Sequence, residues 1–420
     1  TIFLFIGGFM IAVTMEKWRL HKRIALWIIR RVGGGPSRII LGFMVAAAFL
    51  SMWISNTATA IMMLPIALAI ILQLEEKIGR EACHPFTVAL LLGIAYACSV
   101  GGMATLVGTP PNLSFARIFE ITFPNAEPIA FGQWLLMALP ITLVLLAVIW
   151  LLLTKVFYRL GDSLKVDQDV VRREYAALGR MSFEERAVLA VFLATAFGWV
   201  FRKDLALGVV TIPGWSRLLP HAHLIDDATV AIGMAMILFF IPVRSPNTGS
   251  RTVMGVNVFT RIPWNIVLLF GGGFALAHGF RVTGLSELIG TRFAGLEGAP
   301  PYAIIVLISG GLTFLTELTS NTATTEMILP ILASVAVAMK VNPLLLMIPA
   351  TLSASCAFMM PVATPPNAII FGSGRIRIAE MARVGLALNL IGVLVISLLF
   401  FFLGSAVFAI DTAVLPVWAE

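Results

Sequence analysis

Two polar, helix-breaking motifs occur twice in this chain, at matching places of its two halves. Residues 55–66 and 320–331 both begin Ser-Asn-Thr-Ala-Thr and end Leu-Pro-Ile. The sequence Thr-Pro-Pro-Asn follows each of them, at 109–112 and at 364–367. A lipid bilayer tolerates interrupted helices at depth only where they line a site or a cavity. Paired interruptions in two halves are typical of the binding site of a secondary transporter.

The composition predicts an all-α polytopic membrane protein. Hydrophobic residues make up 59% of the chain, charged residues only 12%, and the mean hydropathy is +0.96. A soluble domain carries roughly 25% charged residues. The apolar runs at 132–153 and 384–409 each suffice for the about 20 residues that cross a bilayer as a helix, and they lack the period of two of membrane strands.

The basic residues predict the topology. If 39–74 and 303–339 are hairpins that return to the side they entered, 22 of the 29 Lys and Arg residues fall on one side, which is then cytoplasmic. A single crossing at 39–74 would reduce the division to 14 against 15. The preferred cytoplasmic loops are 16–38, 75–84, 155–186, 244–262 and 375–383. The outer basic residues are Arg117, Arg202, Lys203, Arg217, Arg281, Arg292 and Lys340.

This topology places the C-terminus outside and divides the chain into two inverted repeats. The first covers 1–158, with a re-entrant hairpin at 37–76 and a broken helix at 85–118. A cytoplasmic linker at 159–183 leads to the second repeat at 184–410, with a hairpin at 301–340 and a broken helix at 343–373. Residues 5–9 and 270–274 share a Phe-Gly-Phe pattern at the spacing of the Ser-Asn-Thr motifs. More helical sequence precedes the second copy than the first, so further N-terminal helices are expected before residue 1.

The remaining spans follow from the apolar runs, and the basic segment 17–33 is expected to form an interfacial amphipathic helix. Because basic residues follow the loops, the net charge of +7 does not predict a nucleic-acid partner. The other expected spans lie at 1–15, 132–154, 187–201, 228–243, 264–280 and 384–409.

The motifs predict a site for an anion and a metal cation together. Ser and Asn favour helix N-termini, and proline suits the first helical position, so four half-helices are expected to begin at mid-membrane and to point N–H groups at one place. No Lys or Arg occurs in 39–76, 85–116, 303–339 or 341–374. An anion there must therefore be balanced by helix ends, amides, hydroxyls and bound cations, and Na⁺ takes such oxygen ligands.

The paired Ser-Asn-Thr and Thr-Pro-Pro-Asn motifs resemble those of the divalent anion–sodium symporters, the INDY-type carboxylate transporters. The resemblance covers the order of elements over nearly the whole chain. It implies an elevator-type homodimer in a plasma membrane (the inner membrane of a bacterium), with C4-dicarboxylates such as succinate, malate and fumarate as substrates. The scaffold would comprise 1–36 and 184–300, and the transport part 37–158 and 301–410.

The resemblance also implies site residues. The substrate carboxylates would contact Asn56, Thr57, Thr109, Asn321, Thr322 and Thr364. One Na⁺ would be held by Ser51, Ser55, Asn56 and the carbonyl of Gly108. The second Na⁺ would be held by Thr316, Asn321 and the carbonyls of Thr319 and Ala363.

Several alternatives stay open at this point. A dicarboxylate or tricarboxylate exchanger, or a carrier of sulfate, arsenite or citrate, could use the same fold. The Ser-Asn-Thr motifs could instead be helix-packing contacts. An ion channel is disfavoured because rings of charge and a carbonyl filter are missing from the sequence. No nucleophile–base pair stands out, so we do not predict an enzyme.

Two acidic residues and one histidine cluster need a separate interpretation. Glu317 could tune cation affinity, carry a proton or serve as a hydrogen-bonded structural group. Glu326, farther along the same hairpin, is expected to face water. The sequence His221-Ala222-His223 with Asp226 and Asp227 has loose metal-ligand spacing, but it lies in an outer loop, and we do not predict a metal site there.

Overall fold

The computed structural model describes residues 2–160, 169–207, 210–244, 251–285, 288, 300–412 and 414–419. Arg292 and parts of the predicted loops 155–186 and 244–262 lie outside these ranges. The helices in the described residues are α1 Ile2–Lys17, α2 Leu20–Val32, α3 Pro36–Ser51, α4 Asn56–Ile78, α5 Arg80–Met103, α6 Pro110–Thr122, α7 Phe131–Leu151, α8 Asp169–Ala177, α9 Phe183–Val200, α10 Asp227–Phe240, α11 Trp264–Val282, α12 Pro301–Leu315, α13 Asn321–Ala338, α14 Leu344–Ala354, α15 Pro365–Phe371 and α16 Ile378–Leu399.

Among the described residues, five helical segments are long and apolar enough to cross a membrane. Two of them continue through π-helical turns, so that α7 extends to Phe157 and α16 extends to Val407. The prediction of a mostly helical protein with several membrane-crossing helices is confirmed by the length and composition of these segments. The five segments are Asn56–Ile78, Arg80–Met103, Phe131–Phe157, Asn321–Ala338 and Ile378–Val407.

The expectation of an all-α chain is wrong for the segment between α9 and α10. Strands Leu205–Leu207 (β1) and Val210–Ile212 (β2) pair antiparallel, with Leu205 opposite Ile212. Strands of three residues give too short an alternation to be recognised in a sequence this apolar. Along the chain the ribbon lies between α9 and α10.

Each predicted hairpin consists of two helices joined at its Ser-Asn-Thr motif. Helices α3 and α4 are separated by only four residues, and Ser55 begins α4 by accepting a hydrogen bond from the Ala58 amide at 3.1 Å. Ser320 stands at the same place before α13, but its side chain makes no capping bond. The turn that precedes α3 contains Gly34 and Gly35, whose φ angles of 108° and 94° suit glycine.

Both predicted helix breaks are also present. Helix α5 ends at Met103 and α6 begins at Pro110, while α14 ends at Ala354 and α15 begins at Pro365. A proline in the first turn fits because its missing N–H would have had no helical partner. In the second half, the Thr364 hydroxyl accepts a hydrogen bond from the Asn367 amide at 3.3 Å.

The two halves exchange partners in their packing. Within each half, both hairpin helices pack on the helix that precedes the break. These contacts join α3 and α4 to α5 in the first half, and α12 and α13 to α14 in the second. Across the halves, α13 packs on α6 and α4 packs on α15. Each hairpin therefore contacts the short helix that follows the break of the other half, and this cross-packing brings all four motifs to one place.

Candidate functional site

One cavity of about 460 Å³ contains both hairpin tips and both helix breaks. Helices α4, α6, α13 and α15 all begin at its wall. Of these four, α4 and α13 have N–H groups on their first two residues, whereas α6 and α15 begin with two prolines, which have none. The lining residues from the four motifs and from the positions directly before them are Ser55, Asn56, Thr57, Gly108, Thr109, Pro110, Pro111, Thr319, Ser320, Asn321, Thr322, Ala363, Thr364, Pro365 and Pro366.

All six residues predicted to contact substrate line this cavity, as the list includes Asn56, Thr57, Thr109, Asn321, Thr322 and Thr364. The cavity wall contains amides, hydroxyls and apolar groups, and among its described lining residues there is no charged side chain. Apolar side chains of α1 and α11, namely Phe5, Phe9 and Ile266, form another part of the wall. The arrangement offers hydrogen-bond donors to an anion without offering it a counter-charge.

The first predicted cation site is a cluster of oxygen atoms behind the first tip. The Ser51 hydroxyl donates to Asn56 Oδ1 at 2.9 Å. Gly102 of α5 lies against both the Asn56 amide and the Gly108 carbonyl, because a Cβ on Gly102 would stand 2.7 Å from Asn56 Oδ1 and 3.0 Å from the Gly108 oxygen. Ser51, Asn56 and Gly108 are thus brought together. The Ser55 hydroxyl caps α4 and keeps a lone pair for a further contact.

The second predicted cation site is less complete in its contacts. Asn321 Oδ1 is buried and accepts no hydrogen bond within the described part of the chain. Asn321, Thr319 and Ala363 line the cavity. The buried Thr316 is not a cavity residue, and its hydroxyl donates to the carbonyls of Leu312 and Thr313 at 3.0 and 3.1 Å.

The asparagines of the Thr-Pro-Pro-Asn motifs hold the two unwound segments in place, a role that the sequence analysis missed. The Asn112 amide nitrogen donates to the carbonyls of Gly102, Met103 and Thr105 at 3.3, 3.2 and 2.7 Å. The Asn367 amide nitrogen donates to Ala357 and Met360, both at 3.1 Å. The signal was the motif itself, since each asparagine follows the prolines that restart a helix.

Glu317 has the hydrogen-bonded structural role that was one of its open interpretations. Its carboxylate accepts from the amides of Phe358, Met359 and Met360 at 2.7, 2.8 and 2.9 Å, and from the Asn389 side chain at 2.7 Å. These amides belong to the unwound segment between α14 and α15. The carboxylate therefore replaces the helical carbonyls that the segment lacks.

Two serines were also missed. Ser99 of α5 and Ser355, which follows α14, line the cavity, and both hydroxyls are buried without a hydrogen-bond partner among the described residues. Neither serine belongs to a motif, and single serines in apolar helices are common. Only their position in the cavity distinguishes them.

The expectation that Glu326 faces water is wrong, because this residue is only 3% exposed. It lies on the side of α13 that packs against α6 and α11. No Lys or Arg lies in 303–339, so the sequence offered no ion-pair partner that would have indicated burial of Glu326.

Asp226 and Asp227, which follow the histidines of the segment between α9 and α10, stabilise the fold. Asp226 caps α10 by accepting from the Thr229 amide at 2.7 Å. Burial alone would raise the pKa of Asp226, but hydrogen bonds from the Thr229 hydroxyl and amide outweigh it and lower the pKa below its usual value. Asp227 forms a buried ion pair with Arg202 at 2.5 Å.

Comparison with known proteins identifies the family. The chain matches the family model of the sodium:sulfate symporter transmembrane region over residues 1–410. The sodium-dependent dicarboxylate transporter SdcS of Staphylococcus saprophyticus is 42% identical over 99% of this chain and 79% of its own length. SdcS of Staphylococcus aureus strain MRSA252 is 41% identical over 98% of this chain and 77% of its own length.

Two solved structures share the fold. The YdaH transporter of Alcanivorax borkumensis superposes with a TM-score of 0.60 at 16% identity, over 96% of this chain and 85% of its own. MtrF of Neisseria gonorrhoeae, whose structure is described as that of a class of antimetabolite efflux pumps, superposes with a TM-score of 0.58 at 12% identity. The superposition covers 95% of this chain and 79% of MtrF. The family match and the two SdcS relatives confirm the resemblance drawn from the motifs, and this chain belongs to the sodium:sulfate symporter family of membrane transporters.

Proposed function

We propose that this protein is a sodium-coupled symporter of C4-dicarboxylates such as succinate, malate and fumarate. The observation that carries the proposal is the cavity in which both Ser-Asn-Thr tips and both helix breaks meet, with amide and hydroxyl groups and no charged side chain in its described wall. Relatives at 41 and 42% identity are named sodium-dependent dicarboxylate transporters, which supports the substrate class and the coupling ion.

The uncharged wall gives a physical reason for coupling. A dianion that leaves water for a site without basic residues loses its hydration and gains no opposite charge, at a cost of several kcal/mol. Two Na⁺ ions bound beside it would neutralise the dianion, so the loaded site would carry no net charge across the membrane. Sodium and substrate should therefore bind cooperatively, and two ions would make transport electroneutral.

The proposed ligands follow the geometry of the two halves. The substrate carboxylates would accept hydrogen bonds from the amides and hydroxyls of the tips, with Thr109 and Thr364 beside them. One Na⁺ would lie among the oxygens around Gly102, and the other near Asn321 Oδ1. The asparagine amides are central, because each offers an oxygen to a cation and an NH₂ group to a carboxylate.

The proposed mechanism is an elevator in a homodimer. Residues 37–158 and 301–410 would move together as the transport part, while 1–36 and 184–300 would form the static scaffold. Phe5, Phe9 and Ile266 belong to the proposed scaffold and line the cavity beside the motifs, which is where a moving site would have to slide past a fixed wall. The protein would work in a bacterial inner membrane with its C-terminus outside.

Uptake of labelled succinate into proteoliposomes tests the function. Inward sodium gradients should drive accumulation, and equimolar potassium should not. Uptake that needs internal dicarboxylate and ignores sodium would instead support an exchanger on the same fold.

Sulfate is a second candidate substrate, because the family model is described by sodium:sulfate symport. A thermal-shift screen in sodium separates the two substrates. Stabilisation by succinate but not by sulfate supports the dicarboxylate, and the reverse order supports sulfate.

A further inference from the structure

Two buried acids of the second hairpin have opposite surroundings. Glu317 and Glu326 are 4% and 3% exposed. The Glu317 carboxylate accepts four N–H hydrogen bonds, which is the environment that stabilises an ionised carboxylate. Glu326 accepts one hydrogen bond, from the Ser114 hydroxyl to Oε1 at 3.0 Å. The two acids therefore cannot have the same role.

Glu326 lies where three helices meet. Ser114 is on α6, and Glu326 is on α13, little more than one turn from the tip residue Asn321. On the third side is Gly273 of α11, and a Cβ built on this glycine would overlap the Glu326 carboxyl group. The carboxyl group thus lies directly against the backbone of α11, and the last glycine of the run 271–273 leaves the space for it.

No basic group compensates the acid within the described residues, where no Lys, Arg or His nitrogen lies within 4.0 Å of its carboxylate. On α6, Arg117 pairs with Glu120 at 3.0 Å. On α11, His278 and Arg281 follow Gly273 at more than one turn's distance along the helix. Helix α14, which also packs on α13, contains no titratable residue.

An ionised carboxylate in a membrane-spanning helix, with one hydroxyl donor and no cation, would cost several kcal/mol. A neutral carboxylic acid avoids that cost. Sodium is the weaker occupant, because Ser114 is the one hydrogen-bond partner of Glu326 among the described residues, whereas the proposed sodium sites gather several oxygens. We propose that Glu326 is a proton-binding site, protonated in this conformation, at the contact of α6 and α13 with α11.

The position gives the proton a function, and this step rests on the proposed elevator transport. Helices α6 and α13 belong to the proposed transport part and α11 to the proposed scaffold, so Glu326 lies on the surface that would slide. Neutral Glu326 can pass along an apolar wall, while loss of its proton to water would hold that surface at the aqueous side. Transport should then slow as the pH rises.

Infrared spectroscopy of the purified protein tests the proton site without any need for activity. The carbonyl stretch of a protonated carboxylic acid is resolved from carboxylate bands. At neutral pH the wild-type protein should show this stretch, Glu326→Gln should lose it, and the matched variant Glu120→Gln should keep it. An identical band in wild type and in Glu326→Gln would overturn the proposal, whether or not the protein transports dicarboxylates.

Uptake measurements test the consequence. Between about pH 6.5 and 8.5, above the pKa of ordinary carboxyl groups and below that of lysine, succinate is a dianion throughout. Sodium-driven uptake by wild type and by Glu120→Gln should fall severalfold over this range, and uptake by Glu326→Gln, a mimic of the neutral acid, should stay flat. Glu326→Asp keeps an acid and should retain a pH dependence, which guards against a folding defect of the glutamine variant.

Two results would contradict the proposal. If Glu326→Gln transports with the wild-type pH profile, the acid is only a hydrogen-bonded packing residue. If the variant instead needs fewer sodium ions per succinate while the pH profile is unchanged, Glu326 is an ionised sodium ligand. Failure of every variant and of wild type to take up any dicarboxylate would concern the proposed function, and the infrared result would still decide the proton site.

Discussion

The rings of Phe5 and Phe270 meet edge to face, with centroids 5.0 Å apart. They occupy corresponding places in the two halves, since the spacing between them is that between the Ser-Asn-Thr motifs. Equivalent residues of an inverted repeat contact each other only near its pseudo-two-fold axis. Phe5 also lines the cavity. In the proposed inverted repeat this contact would lie near the axis, beside the cavity, where a substrate with two similar ends would be held by two similar tips.

We predict that Asn56→Ala and Asn321→Ala each weaken sodium and succinate binding together. A hydrogen bond to a charged group contributes about 1.5–3 kcal/mol, so each affinity should fall about tenfold to a hundredfold. Thermal-shift titrations with succinate at several sodium concentrations measure both affinities. Asn257→Ala, at an exposed position of a short 3-10 helix, serves as the control. Loss of one affinity without the other would contradict a shared site.

Gly102→Ala should abolish binding at the first sodium site while the fold survives. The new methyl group would stand 2.7 Å from Asn56 Oδ1 and 3.0 Å from the Gly108 oxygen, and would displace both from a common ion. Gly310→Ala is the matched control, because a Cβ there has no neighbour within 4 Å. Stabilisation by sodium, measured with and without succinate, should weaken only in Gly102→Ala, in which the second proposed sodium site near Asn321 is left intact. A normal sodium response would place the ion elsewhere.

Glu317→Gln should destabilise the protein by at least about 2 kcal/mol, because it replaces an acceptor of four hydrogen bonds by a group with a competing NH₂ donor. The unwound segment at 358–360 would lose its anchor. Thermal unfolding should therefore occur at a lower temperature, and transport should fall with it. Glu81→Gln, at an exposed position, should behave as wild type. A stable, active Glu317→Gln would remove the anchoring role.

Ser99→Ala and Ser355→Ala should affect binding and spare stability. Removal of a buried hydroxyl that has no protein partner is nearly neutral for folding. If these hydroxyls contact the ligands in the cavity, each variant should raise the KM for succinate or for sodium severalfold at an unchanged melting temperature of the unliganded protein. Unchanged kinetics in the double variant would show that these serines only line the wall.

Much of the architecture follows from local sequence. Pro110 and Pro365 restart helices where the prolines predict it, and the hairpins turn where the Ser-Asn-Thr motifs interrupt the apolar runs. Such boundaries depend on residues within a few positions of each other, so one sequence is sufficient to find them. The short ribbon of β1 and β2 was missed because it has no comparable local signal.

The partners of buried polar groups were not predictable in the same way. Glu326 was expected to face water, yet it contacts Ser114, more than two hundred positions earlier in the chain. Glu317 contacts Asn389 and the amides of a segment some forty residues away. Both acids look alike in sequence, and only their surroundings separate an anchored carboxylate from an unpaired acid.

The sequence by itself determined a helical membrane protein with two similar halves, four helix breaks and a site without basic residues, because composition and local helix chemistry fix these properties. The tertiary structure decided which polar atoms share that site and placed Glu326 at the contact of α6, α11 and α13. The physical reason is the exchange of partners between the halves, α4 on α15 and α13 on α6, since no local preference specifies which distant helices pack together.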